Sequence, residues 1–254
     1  MEAEGMNSEE LGQYAMKRGL NLGQAEKDYY QNTLLFILYQ KTSKELVFKG
    51  GTALAKCYGL NRFSEDLDFT ASERGDYFGM IRQGLASFGV RYSEKRQTPS
   101  DESAAMMVKV EGPLYKGSDK TLCSVTADVS FREKVIMEPR IITIGHHMDI
   151  IPAFDVYTMK EEEIMAEKTR ALMTRTSARD LYDICFLISK GVEVEKNIIN
   201  KKLSAVDLKF DYETFSRKCE VTRRVWNSEL KSLVRNVPDF DECLAKALEF
   251  YRKI

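Results

Sequence analysis

The stretch "ELVFKGGTALAKCYGLNRFSEDLDFT", Glu45–Thr70, decides how the rest of the chain is read. A short β-type run, "ELVF", ends at Gly50 and Gly51. "TALAKCYG" is a good helix former that stops at Gly59, a natural residue just past a helix C-terminus. "RFSEDLDFT" then has the look of a strand. On a strand, alternate side chains face opposite ways, so Ser64, Asp66 and Asp68 share one face while Leu67 and Phe69 take the other. Two carboxylates this close raise each other's cost of ionising, and a divalent cation removes that cost. A bare Asp-x-Asp is also what a solvated strand face shows by chance.

A second stretch bears on that choice. In "CSVTADVSF" the residues Val125, Ala127, Val129 and Phe131 alternate with Thr126, Asp128 and Ser130. Asp128 thus sits on the polar side of a half-buried strand, a type of element in which Asp is depleted. If the two strands are neighbours, Asp128 joins Asp66 and Asp68 as a third carboxylate. Such a set holds metal ions for an in-line phosphoryl displacement. Asp128 is then either a general base or a metal ligand; the plainer alternative is an edge-strand acid that discourages aggregation.

Gly50 and Gly51 lie where a strand gives way to a helix. Glycine lets backbone approach a ligand, and a helix N-terminus offers free N–H groups to an anion. Thr52 can cap the helix and touch a phosphate. The arrangement suits a nucleoside triphosphate with its tail on Gly50–Thr52 and magnesium on Asp66 and Asp68. It is not a Walker loop, because no Gly-Lys-Ser/Thr follows. A glycine pair alone most often marks a turn; the order glycine pair, helix, strand, Asp-x-Asp is far more specific.

Around this core the pattern is helical at residues 8–19 and 24–44, and again at 76–88. Strand-like runs follow at "VRYSEKR", "AMMVKVEG", "TLCSVTADVSF" and "PRIITI", and the pattern is helical from Tyr157 almost to the end. This predicts an α+β fold with a mixed sheet and flanking helices, then a helical C-terminal lobe. The expected boundary falls near "DIIPAFDVYT", giving parts 1–152 and 153–254.

In "EEEIMAEKTRALMTR", Lys168 shares a helical stripe with Ile164 and Leu172, so it either snorkels to water or meets an anion. In "SARDLYDI", Ser177 is a candidate N-cap, and Asp180 shares a stripe with Ile184 and Leu187. Asp183 stands four residues after Arg179, the spacing of an ordinary helix pair. Glu163 and Arg170 are expected to support the site or to pair with each other.

Bulk properties narrow the field. The chain has 254 residues, and its 38 basic and 39 acidic side chains nearly cancel, so no excess of positive charge announces nucleic acid. Basic runs such as "RTSAR" and "TRR" either track an RNA backbone or are solvated faces. Five dispersed cysteines without a Cys-x-x-Cys argue against a disulfide frame or zinc site and suit reduced thiols in a cytoplasm. No apolar run is long enough to span a bilayer, and the acidic N-terminus is no signal peptide. The pair in "GHHMD", residues 145–149, lacks a third ligand at suitable spacing, so a loop or strand end is expected there.

Taken together, "FKGGTAL", "RFSEDLDF" and "EEEIMAEKTRALMTRTSARDLYDI" resemble the AbiEii/AbiGii toxin family, within the DNA polymerase beta-like nucleotidyltransferase superfamily. "AEKDYYQ" and "VWNSELKSLVRNVPDF" share the likeness, which runs from about residue 24 to 245 and is weakest over 72–120. The family's Gly-Ser appears here as Gly-Thr, which keeps the hydroxyl. The resemblance implies a nucleotidyltransferase lobe and a helical lobe that completes the active site. It implies transfer of a nucleotide from an NTP with Mg2+ or Mn2+, with RNA, in some members the 3′ end of tRNA, as acceptor. It also implies the toxin role of a type IV toxin–antitoxin pair, with an antitoxin as at least a functional partner. The residues it carries over are Gly50 and Gly51 at the phosphates, Ser64 beside the site, Asp66 and Asp68 on metal, Lys168 and Asp180, and, less securely matched, Asp128. Within the same chemistry the acceptor could be a small molecule such as an antibiotic, or a protein. A silent partner-binding module is the alternative of another class, and grouped acids argue against it.

Overall fold

The computed structural model describes residues 6–100, 102–145 and 151–254; His146 and His147 lie outside the described residues. The chain divides into two compact units. The first comprises Met1–Ala53, Glu65–Val135 and Pro139–Thr158, and the second comprises Leu54–Ser64, Ile136–Glu138 and Met159–Ile254.

In the first unit the β-type runs form one seven-stranded mixed sheet in the order β3-β4-β5-β2-β1-β7-β6. The strands are β1 (Leu46–Lys49), β2 (Leu67–Ala71), β3 (Tyr92–Ser100), β4 (Ser103–Val110), β5 (Cys123–Ser130), β6 (Arg140–Ile144) and β7 (Phe154–Thr158). Apolar content sets their positions. β1 is an interior strand, and Leu46, Val47 and Phe48 are all buried, as expected of a strand covered on both faces. β5 alternates between buried and part-exposed residues, so it has one core face and one polar face. β2 pairs antiparallel with β1 and parallel with β5.

Helix α1 (Ser8–Arg18) starts at an Asn7 capping box, and α2 (Leu22–Tyr39) at a second one, in which Asn21 accepts the Gln24 N–H at 2.9 Å. α2 is buried almost all round, polar residues included, because it packs on β5 and β7 and is covered by α1 and α4 (Tyr77–Ser87). α3 (Gly50–Cys57) follows β1 directly.

The second unit is helical from α5 (Glu161–Thr174) through α6 (Ala178–Ser189), α7 (Lys196–Ser204), α8 (Tyr212–Val221), α9 (Trp226–Leu230) and α10 (Phe240–Tyr251). α6 is central, touching α5, α9 and α10. Phe215 and Tyr251 stack with ring centroids 4.2 Å apart, and Trp226 donates its indole N–H to the Pro238 carbonyl at 2.9 Å.

Two expectations change. The stretch "RFSEDLDFT" is strand only from Leu67 onward, so Ser64 and Asp66 lie in the approach to β2. The helical pattern expected from Tyr157 begins at Glu161, because Phe154–Thr158 forms β7, in which Phe154, Val156 and Thr158 are buried at alternate positions. Among the described residues there is no disulfide, and no helix is long and apolar enough to cross a membrane.

Candidate active site

β2 and β5 are neighbours, and their parallel register sets Asp68 beside Asp128. The antiparallel register of β1 and β2 sets Lys49 opposite Asp68. A row of charged side chains, Lys49–Asp68–Asp128, therefore crosses three strands on one face. Burial raises the proton affinity of Asp128, Lys49 opposes that shift, and the Asp66 carboxylate adds to it. Lys49 was not among the sequence candidates. Its position as the last residue of "LVFK", directly before the glycines, was the available signal.

The glycine pair has a steric role in this row. Gly50 has φ +75°, and a Cβ there would lie 2.4 Å from Asp68 Oδ2. Only glycine turns the chain from β1 into α3 while leaving room for the Asp68 carboxylate. Thr52 is buried, and its hydroxyl donates to the Asp66 carbonyl, so it ties the start of α3 to the residue before β2. Gln31 on α2 donates to the Glu65 carbonyl at 2.9 Å. The approach to β2 is thus held from two sides. Ser64 is half-buried in that approach.

The donor set Asp66, Asp68 and Asp128 is made of hard carboxylate oxygens, the chemistry that Mg2+ or Mn2+ prefers. Burial makes Asp128 costly to ionise, and Thr70 Oγ1, two residues beyond Asp68, is buried without a hydrogen-bond partner among the described residues. On these grounds the residues fit a divalent cation. They do so as a strand pair with a neighbour: among the described residues no three His, Cys, Asp or Glu side chains converge into a ready-made cage.

The second unit holds a different constellation. Arg62 grips Asp183 with two parallel bonds, Nε to Oδ1 at 2.6 Å and Nη2 to Oδ2 at 2.7 Å. Lys168 Nζ reaches Asp183 Oδ2 at 2.7 Å and Asp180 Oδ1 at 3.0 Å, and Arg175 Nε reaches Asp180 Oδ2 at 2.8 Å. The side chains of Asp180 and Asp183 are fully buried, and that of Lys168 is 12% exposed. Burial works against the charge on Lys168, but Asp183 and then Asp180 outweigh it and raise its pKa. Burial likewise opposes ionisation of Asp180, yet Lys168 and Arg175 hold its pKa down to about 2.

This overturns the expected helix pair of Asp183 with Arg179. The buried Arg62, delivered from elsewhere in the chain, is a planar two-donor partner that a solvated i, i+4 arginine cannot match; Arg179 stands 4.0 Å from Glu229 instead. Lys168 does not snorkel freely, because both acids hold it. Glu163 does not single out Arg170: it accepts the N–H groups of Ile136 and Met137 at 2.8 and 2.9 Å and pairs with Lys202 at 2.7 Å. Ser177 does occupy the N-cap of α6, but its side chain makes no cap bond; the Ala178 N–H goes to Glu229.

A family model described as "Nucleotidyl transferase AbiEii toxin, Type IV TA system" matches residues 34–246. No curated protein matches the sequence. Among solved structures, a putative nucleotidyltransferase from H. pylori is similar at TM-score 0.66 and 22% identity, covering 92% of this chain and 95% of that one. JHP933 from Helicobacter pylori is similar at TM-score 0.64 and 22% identity, covering 91% and 90%. MenT4, the nucleotidyltransferase toxin Rv2826c from Mycobacterium tuberculosis H37Rv, is similar at TM-score 0.62 and 20% identity, covering 97% and 89%. At these identities the likenesses speak for a shared fold.

Proposed function

The chain belongs to the AbiEii nucleotidyltransferase toxin family of type IV toxin–antitoxin systems, and on that premise we propose that it transfers a nucleotide from an NTP to RNA, at the 3′ end of tRNA, with Mg2+ or Mn2+ on Asp66, Asp68 and Asp128. The observation that carries this reading is the in-register pair Asp68 and Asp128, set beside the strand-to-helix turn at Gly50. The free N–H groups at the start of α3 suit the triphosphate. A divalent cation, when bound, would offset charge on the triphosphate and acidify the attacking hydroxyl.

The chain's own groups account for the rest. The acceptor hydroxyl oxygen forms the new bond to the α-phosphorus, the bond to the β-phosphate oxygen breaks, and pyrophosphate leaves. In this reading Asp128 serves either as a ligand of that cation or as the base that takes the hydroxyl proton. Lys49 opposes premature protonation of Asp128. Gly50 and Thr52 keep Asp68 and Asp66 in position. Lys168 and Asp180 enter the proposal as members of a charge network with Arg62, Asp183 and Arg175, not as lone groups. A cognate antitoxin is the expected functional partner.

The test is incubation with each labelled NTP, a divalent cation and total RNA. Label should appear on tRNA-sized RNA and vanish in Asp66→Ala, a substitution at an exposed residue that spares the core. Label on protein, with none on RNA under any NTP, would replace the RNA reading. Expression without the neighbouring antitoxin gene should arrest growth.

A further inference from the structure

A cavity of about 480 Å³ opens in the first unit where α2 meets the start of β5, within the range of about 300–1,000 Å³ typical of ligand sites. Lys27, Lys116 and Lys120 line it with Ser124, and Leu122 forms part of its apolar wall. The turn that bears Lys116 and Lys120 is fastened from within: the Thr121 hydroxyl accepts the Lys116 N–H at 2.9 Å and donates to the Ser118 carbonyl at 2.8 Å. The one carboxylate among the lining residues, Glu26, is buried and accepts the Leu114 N–H at 2.8 Å. Burial pushes its pKa up against that hydrogen bond, which weakens its opposition to an anion. Lys27 also reaches toward Glu65, at 3.6 Å, the residue before Asp66. Ser124 lies on the same strand as Asp128 and shares its face, about 13 Å away at strand rise.

We propose that this cavity seats a phosphate of the RNA acceptor, an inference that rests on the nucleotidyl-transfer reading above. Its chemistry, several ammonium groups around a concave floor with an apolar wall, suits a nucleotide unit. None of its lining residues belongs to the Gly50–Thr52 turn or the carboxylate row. An acceptor strand whose end lies at Asp128 would pass along the face of β5 toward these lysines.

The experiment uses the full chain and the double variant Lys116→Ala/Lys120→Ala, both exposed positions whose loss leaves the core intact. Binding of fluorescent bulk tRNA and of free ATP is measured by anisotropy across a salt series. The tRNA Kd should rise about tenfold and the salt slope should fall by about 0.7, the share of one phosphate contact on a single strand. The Kd for ATP should not change, and neither should a control variant, Lys44→Ala/Lys209→Ala, alter tRNA binding. Unchanged tRNA affinity and slope would overturn the proposal. So would an equal loss in the control, or a loss for ATP that matches the loss for tRNA. Binding is read without turnover, so a wild-type chain that binds tRNA through these lysines yet transfers no nucleotide would refute the transfer reading alone.

Discussion

Gly50 stands so close to Asp68 that a single added carbon would sit 2.4 Å from the carboxylate oxygen. The contact predicts a specific failure for Gly50→Ala. The left-handed backbone alone costs an alanine about 1–2 kcal/mol, and relief of the clash requires the Asp68 side chain to swing away. Gly59 is the matched control: its φ is +81°, yet a Cβ there meets nothing within 4 Å. Both variants should lose stability in urea denaturation through backbone strain, Gly50→Ala somewhat more, while only Gly50→Ala loses nucleotidyl transfer by a factor of ten or more, on the order of 1.4 kcal/mol of transition-state stabilisation. Equal activity losses would show that the contact with Asp68 is unimportant.

Thr52 offers a finer test of the same corner. Its buried hydroxyl holds the Asp66 carbonyl, and Val has the same shape without the donor. Thr52→Val should cost about 1 kcal/mol of stability, because a part-buried hydrogen bond is lost. It should also reduce transfer by loosening Asp66. Thr52→Ser retains the donor and should restore activity first, with stability recovered less completely. A Ser variant as impaired as Val would assign the effect to the lost methyl.

How much of this could be read beforehand follows the range of the interactions. The order β1, Gly50, α3, β2 is local, written in apolar runs and a glycine pair, and the α+β class follows from it. The pairing of Asp68 with Asp128 was legible as a condition, since each strand showed its own alternation, but the register that joins them depends on long-range packing. Residues 62–66 continue the period-two pattern and so read as strand, but Thr52 and Gln31 hold the Glu65–Asp66 segment outside the sheet. Lys49 is not legible as a site residue, because a lysine closing a short apolar run reads as a solvated strand end. Arg62 and Asp183 lie far apart in sequence, and no local rule could prefer Arg62 over the nearby Arg179.

The Arg62–Asp183 contact predicts that charge alone will not suffice. Arg62→Lys keeps a cation but replaces two parallel bonds with one point contact in a buried setting. It should destabilise the chain by about 1–3 kcal/mol, and Arg62→Ala, which leaves Asp183 with Lys168 as its cation, by about 3–5 kcal/mol. Chemical denaturation of the three proteins decides the matter; a lysine variant as stable as wild type would show that the fork geometry contributes nothing. The same measurement must accompany any Lys168→Ala activity assay, because that substitution removes the cation shared by Asp180 and Asp183.

Acid should unfasten the same network. The pKa of Asp180 falls from its ordinary 3.8 to about 2, and that of Asp183 is also lowered, by Arg62 and then Lys168 against the cost of burial. A carboxylate with a depressed folded-state pKa binds fewer protons folded than unfolded, so stability falls as pH falls. The contribution is therefore fully present above the unfolded pKa near 4 and is lost as pH approaches 2. For Asp180 this amounts to about 2 kcal/mol. Urea midpoints followed from about pH 6 down to about pH 2.5 should decline steeply across this window. Asp180→Asn should start from a lower midpoint and decline less steeply, since its amide has no proton to gain. If the variant and the wild type fall in parallel, the ionised form of Asp180 is not what stabilises the second unit.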